Sequence, residues 1–122
     1  MNHARRRLGD FGERVAAAHL EAKGYRILAR NYRCREGEID LVAQQGDVLI
    51  FVEVRARRGE EAGTAAESVT QVKAGRLVAV AQAYCQEHPH LPPNQRIDVV
   101  AVNLSPQGRL QKVEHIEGAV EA

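Results

Sequence analysis

The sequence predicts an α/β fold, one mixed sheet flanked by helices. Three observations carry that prediction. Apolar residues recur at helical spacing in two stretches, residues 5–23 and Glu67–Glu87, and the segments around them alternate or run apolar as strands do. One of those segments, Val48–Val52, is apolar on both faces, as a central strand covered on two sides must be. The 122 residues suffice for one domain with one core, so a single domain over residues 1–122 is expected.

In the first helix Leu8, Phe11, Val15, Ala18 and Ala22 form one stripe and Ala16 with Leu20 a narrower second one; Gly24 is a stop signal. Tyr25–Cys34 reads as a strand, with Tyr25, Ile27 and Ala29 on one face and Arg26, Leu28 and Arg30 on the other. Glu38–Ala43 is the second strand, Gln44-Gln45-Gly46-Asp47 a turn and Val48–Arg57 the third strand. Residues 58–66 read as a polar loop. The second helix, with Val69, Val72, Leu77, Val80, Ala81 and Tyr84 apolar, ends before Pro89, Pro92 and Pro93. Arg96–Leu104 is the fourth strand, Ser105–Gly108 a turn, and Leu110–Ile116 a short edge strand. The predicted order is α-β-β-β-α-β-β.

Composition narrows the functional classes. Hydrophobic residues at 44% and charged residues at 27% exclude a mainly disordered chain and a disulfide-stapled mini-protein. Cys34 and Cys85 have no second cysteine at metal-ligand spacing and are read as reduced thiols; His88-Pro89-His90 is read as a polar loop. No apolar run exceeds five residues, whereas a membrane-crossing helix needs about twenty. Asp10, Glu13 and Arg14 interrupt any leader core after Arg5-Arg6-Arg7, so a cytoplasmic protein is expected. The net charge is +1, but residues 1–35 hold nine Lys+Arg against three Asp+Glu. That basic part suits a polyanion or, equally, a solvated arginine-rich surface.

The informative feature is an acid inside an apolar strand. Glu53 follows Leu49-Ile50-Phe51-Val52, and a buried carboxylate without a partner is very costly. Alternation puts Glu53 and Arg55 on the face of Leu49 and Phe51. A turn centred on Gln45-Gly46 sets Ala43 opposite Val48, Asp40 opposite Phe51 and Glu38 opposite Glu53. Asp40 is then the diagonal neighbour of Glu53, roughly 7–8 Å away between backbones. Carboxylates so placed repel unless a proton or cation intervenes, and a hard divalent ion with oxygen ligands, Mg²⁺ for instance, fits them. Two plainer readings stay open: Glu53 pairing with Arg55 or another arginine, and Asp40 bonding a turn. Glu38, beside Gly37, reads as solvated. Asp10-Phe11-Gly12-Glu13 fits an acidic capping box, but the arginines and Leu8 before it suit an earlier helix start, from which Glu13 leans toward the sheet.

Several motifs follow in order: Gly9-x-x-Gly12-Glu13, Gly24-Tyr25-x-Ile27-Leu28-x-Arg30-Asn31-Tyr32-Arg33, Gly37-Glu38-Ile39-Asp40-Leu41, Phe51-Val52-Glu53-Val54-Arg55-x-Arg57, Val72-Lys73 and Arg96-x-Asp98-Val99-Val100. Over roughly residues 8–102 the chain resembles the YraN-like (UPF0102) family of small bacterial proteins. That family is similar to the PD-(D/E)xK nucleases, and among them to archaeal Holliday junction resolvases. The resemblance implies a restriction-endonuclease-like αβββαβ core and a Mg²⁺-dependent phosphodiester-cleaving site, with Mn²⁺ as a substitute. Asp40 falls on the motif's aspartate, Glu53 on its (D/E), and Glu13 on the first-helix glutamate of resolvase-like members; these are the expected metal ligands, with the Val54 carbonyl a further one by analogy. The motif's lysine is Arg55 here. Arginine can steady charge on a phosphate but stays protonated and cannot act as a general base. Lys73, on the second helix, is either an amine reaching the site from another direction or a plain surface lysine. The expected catalytic set is Glu13, Asp40, Glu53 and Arg55; Arg30, Arg33, Arg57, Lys73 and Arg76 are the candidate phosphate contacts. The expected partner is duplex or branched DNA, with a homodimer through Leu110–Ile116 as a second expectation. A non-catalytic nucleic-acid-binding module on the same scaffold is the competing reading, and a structural adaptor the third.

Overall fold

The computed structural model describes residues 3–59 and 71–120. Its elements are α1 (His3–Ala22), β1 (Arg26–Cys34), β2 (Gly37–Gln45), β3 (Val48–Arg58), α2 (Gln71–Glu87), β4 (Asn94–Leu104) and β5 (Leu110–Val120), in the predicted order. The five strands form one sheet in sequence order. β3 and β4 run parallel, and the other neighbours run antiparallel. A parallel pair needs a long crossover, and α2 lies in it.

The helices cover opposite faces of this mixed sheet. Ala16, Ala17 and Leu20 of α1 pack on Leu41, Ala43, Ile50, Val52, Val100 and Val102. Leu77, Val80, Ala81 and Tyr84 of α2 pack on Val42, Leu49, Phe51 and Ile97. β3 thus feeds both layers, which is why Val48–Val52 is apolar throughout. Removing a side chain such as Phe51 from water stabilises the fold by about 1.5–3 kcal/mol. Gly12 sets how closely α1 approaches: a Cβ there would stand 2.8 Å from the Cβ of Ala56 on β3.

Four local expectations are corrected. α1 starts at His3, so Asp10 and Glu13 lie within the helix and form no capping box. Its buried stripe runs through Gly12, Ala16 and Leu20, with Ala17 beside it, while Ala18 and Ala22 are exposed; alanines on several flanks left the pattern ambiguous. β1 carries an irregularity between Ile27 and Ala29. It breaks the alternation, so Ile27 joins the α1 layer but Leu28 and Ala29 both join the α2 layer. The hairpin turn is Gly46-Asp47, and Gln45 pairs with Val48, Ala43 with Ile50 and Val42 with Phe51. The register therefore differs by two residues from the expected one. Gly46 has φ 59°, the sign that a tight hairpin turn requires.

Strand β5 lies at the sheet edge as expected and continues to Val120. Gly24 ends α1 as expected, the Tyr25 N–H returning to the Leu20 carbonyl at 3.0 Å. Cys34 and Cys85 are free thiols. No helix among the described residues is long and apolar enough to cross a membrane. The expected helix start at Glu67, Val69 and the loop beyond Gly59 lie outside the described residues.

Candidate active site

The two-residue shift keeps every side chain on its face, because strand alternation has period two. It brings Asp40 level with Glu53, one step past the last paired residues, Leu41 and Val52. There the ladder ends. The Asp40 carboxylate replaces it, Oδ2 accepting the Val54 N–H at 2.8 Å.

Asp40 and Glu53 stand close enough for the one carboxyl to act on the other. Burial pushes the Asp40 carboxyl up to about 8, helped by neighbouring Glu53; the Val54 N–H pulls the other way. Glu53 is only 7% exposed. Its Oε2 meets Lys73 Nζ of α2 at 2.6 Å and Arg55 Nη2 at 3.5 Å. Arg55 Nε is buried and finds no hydrogen-bond acceptor among the described residues.

This group opens on a cleft of about 490 Å³ lined by Gly37, Glu38, Asp40, Glu53, Lys73, Arg76 and Leu77. Strands β2 and β3 supply the acids from one side and α2 supplies Lys73 and Arg76 from the other. Glu38 borders the cleft, with its carboxylate 3.5 Å from Arg33 Nε of β1.

Glu13 stands apart from the cleft lining. It is half-buried on α1, and burial raises its carboxyl while a hydrogen bond from Asn31 opposes the rise. Its charge still reaches Asp40. Among the described residues no three His, Cys, Asp or Glu side chains converge as a metal-ligand group. The acids brought together are therefore Asp40 and Glu53, without Glu13. Arg30 and Arg33 are exposed on β1, Arg76 is exposed on α2, and Arg57 is half-buried on β3.

The donor set suits a hard cation in chemistry and charge. Two neighbouring carboxyls offer oxygen ligands to such an ion. The ammonium of Lys73 now supplies positive charge at Glu53.

Comparison with known proteins gives the family. Residues 12–102 match the sequence model of "Uncharacterised protein family UPF0102". The chain belongs to the UPF0102 family. A UPF0102 protein of Pelotomaculum thermopropionicum is 51% identical over 119 residues, covering 98% of this chain and 99% of its own. One from Roseiflexus castenholzii is 50% identical over 123 residues, covering 99% and 98%. One from Symbiobacterium thermophilum is 53% identical over 106 residues, covering 87% and 90%. UPF0102 membership thus extends over nearly the whole chain.

Sequence reasoning missed a second buried acid. Asp98 on β4 is 0% exposed, and Arg96 grips both its oxygens at 2.9 Å. His115 Nε2 at 2.7 Å and the Gly118 N–H at 2.9 Å complete its shell. The Arg96 Nη2 also donates to the Tyr25 hydroxyl at 2.8 Å, and that hydroxyl donates to Glu117 at 3.1 Å. The signal was present in Ile97-Asp98-Val99-Val100, an acid inside an apolar run as at Glu53.

Proposed function

We propose that this UPF0102 chain is a Mg²⁺-dependent endonuclease that hydrolyses phosphodiester bonds in DNA, duplex or branched, junctions included. It would work in the cytoplasm as one nuclease-like domain over residues 1–122, with Mn²⁺ able to substitute. The observation that carries the reading is the Asp40–Glu53 pair, two carboxyls that β2 and β3 bring level in the lining of a cleft whose other wall holds Lys73 and Arg76.

Asp40 and Glu53 would hold the metal once the Asp40 proton is released, and Glu13 would act from further away through its charge or an intervening water. When bound, Mg²⁺ would lower the pKa of a coordinated water and offset charge on the scissile phosphate. Arg55 stabilises charge building on the phosphate, its buried Nε being a donor in want of an acceptor. Lys73 brings from α2 the amine that β3 lacks at Arg55. Arg76, Arg30, Arg33 and Arg57 contact flanking phosphates and position the backbone without reading bases. Aromatic residues are 4% of the chain and tryptophan is absent, which favours duplex or junction backbone over stacked single strands.

The test is cleavage of branched and linear duplex DNA in Mg²⁺ by the parent chain, Asp40→Asn and Glu53→Gln. Loss of cutting in both folded variants is the expected result; variants that cut like the parent would remove the proposal. One observation favours a second reading, a non-catalytic nucleic-acid-binding module: Glu53 is already neutralised by Lys73 and Arg55. DNA binding that falls steeply with salt, with no cleavage in Mg²⁺ or Mn²⁺, would select it.

A further inference from the structure

The sheet has two outer edges, and they are built differently. On β1 the edge is blunted by like charges: Arg26, Arg30 and Arg33 are exposed. Such charges are a device by which edge strands avoid pairing. β5 is eleven residues long; its register on β4 shifts beside Leu110 and again beyond Ile116, and is regular from Lys112 to Ile116. No described strand covers its outer side. Among the described residues, Leu110 is the one large apolar side chain that is exposed, at 48%. Lys112 and Glu114 are exposed on the same strand.

We propose that β5 pairs around Lys112–Glu114 with the same strand of a second copy of this chain, antiparallel about a two-fold axis at Val113. Backbone groups of an edge strand alternate between the inner neighbour and the open side. Two-fold pairing centred on a residue joins positions of the same parity, so open groups meet open groups. In this register Lys112 stands opposite the second copy's Glu114, twice by symmetry. Cross-strand partners share a face, so each lysine meets a carboxylate. Self-pairing of β1 would instead bring its arginines together. A lone lysine guards an edge, but Lys112 with Glu114 two positions on makes this edge complementary to itself. The pairing does not depend on the nuclease reading.

Sedimentation equilibrium of the full chain tests it, with far-UV circular dichroism to confirm folding. The parent is expected to dimerise at micromolar concentration. Lys112→Glu or Glu114→Lys alone sets two like-charge pairs face to face and is expected to weaken the dimer by about tenfold or more. The double swap restores opposite charges and is expected to restore the dimer. Mixing the two single variants is also expected to restore it, since every pair across that mixed dimer is then complementary. A parent that stays monomeric up to millimolar concentration would overturn the proposal. A dimer indifferent to the single swaps, or one that neither the double swap nor mixing restores, would equally overturn it.

Discussion

Asp40 keeps its proton to a higher pH than an ordinary aspartate does. Its carboxyl is raised from 3.8 to about 8, first by burial and then by Glu53. Between those values the native chain keeps a proton that the unfolded chain has lost, so stability falls as pH rises through that window. Asp40→Asn is expected to flatten this slope, and a thermal-melt series from pH 4 to pH 9 checks it. The variant should gain on the parent most at the alkaline end. Metal binding must expel the same proton, so Mg²⁺ should raise the melting temperature more at alkaline than at acidic pH. At this scale much of the site was legible. Glu53 announced itself as an acid in an apolar strand, and Asp40 followed from alternation. The Glu53–Lys73 contact was not legible, because no local pattern states which helix face meets which strand. The same signal at Asp98 marks a structural knot instead, and only the three-dimensional neighbours separate the two cases: Asp98 is enclosed by Arg96, His115 and Gly118, while Asp40 and Glu53 border an open cleft.

Helix α1 depends on a missing side chain. Gly12→Ala would set a new methyl against the Cβ of Ala56, 2.8 Å away, and both groups are rigidly tied to backbone. The substitution is expected to cost about 1–3 kcal/mol, read by urea unfolding, despite alanine's better helix propensity. On the proposed nuclease reading, helix α2 would contribute through its first turns. Lys73→Ala is expected to lower the cleavage rate by about a hundredfold or more and to leave the fold intact, as checked by single-turnover kinetics and circular dichroism. The order of all seven elements was readable from period and punctuation. Register was not: a turn centred on Gln45-Gly46 and one on Gly46-Asp47 share the same residues, and the difference moves Asp40 from diagonal to level with Glu53. The β1 irregularity was equally silent, since Leu28 and Ala29 are both apolar and permit either face.

Across the whole molecule the Asp98 cluster joins segments far apart in the chain. Burial would raise its carboxyl, but Arg96, the Gly118 N–H and His115 together hold it below the usual carboxylate range. Its contribution is present above the ordinary aspartate pKa and is lost as the solution is acidified through the depressed native value. Asp98→Asn leaves Arg96 without its counter-charge and is expected to cost about 3–5 kcal/mol by denaturant titration. Tyr25 and Glu117 meet in this cluster across 92 positions of sequence, and so do Lys23 and His115, at 2.7 Å. This long reach has a consequence for biosynthesis. While the chain emerges from the ribosome, Arg96 and Asp98 can find each other at once, but the histidine and backbone donor that finish the shell arrive only with the last strand. The corner after the first helix cannot lock until β5 has left the ribosome.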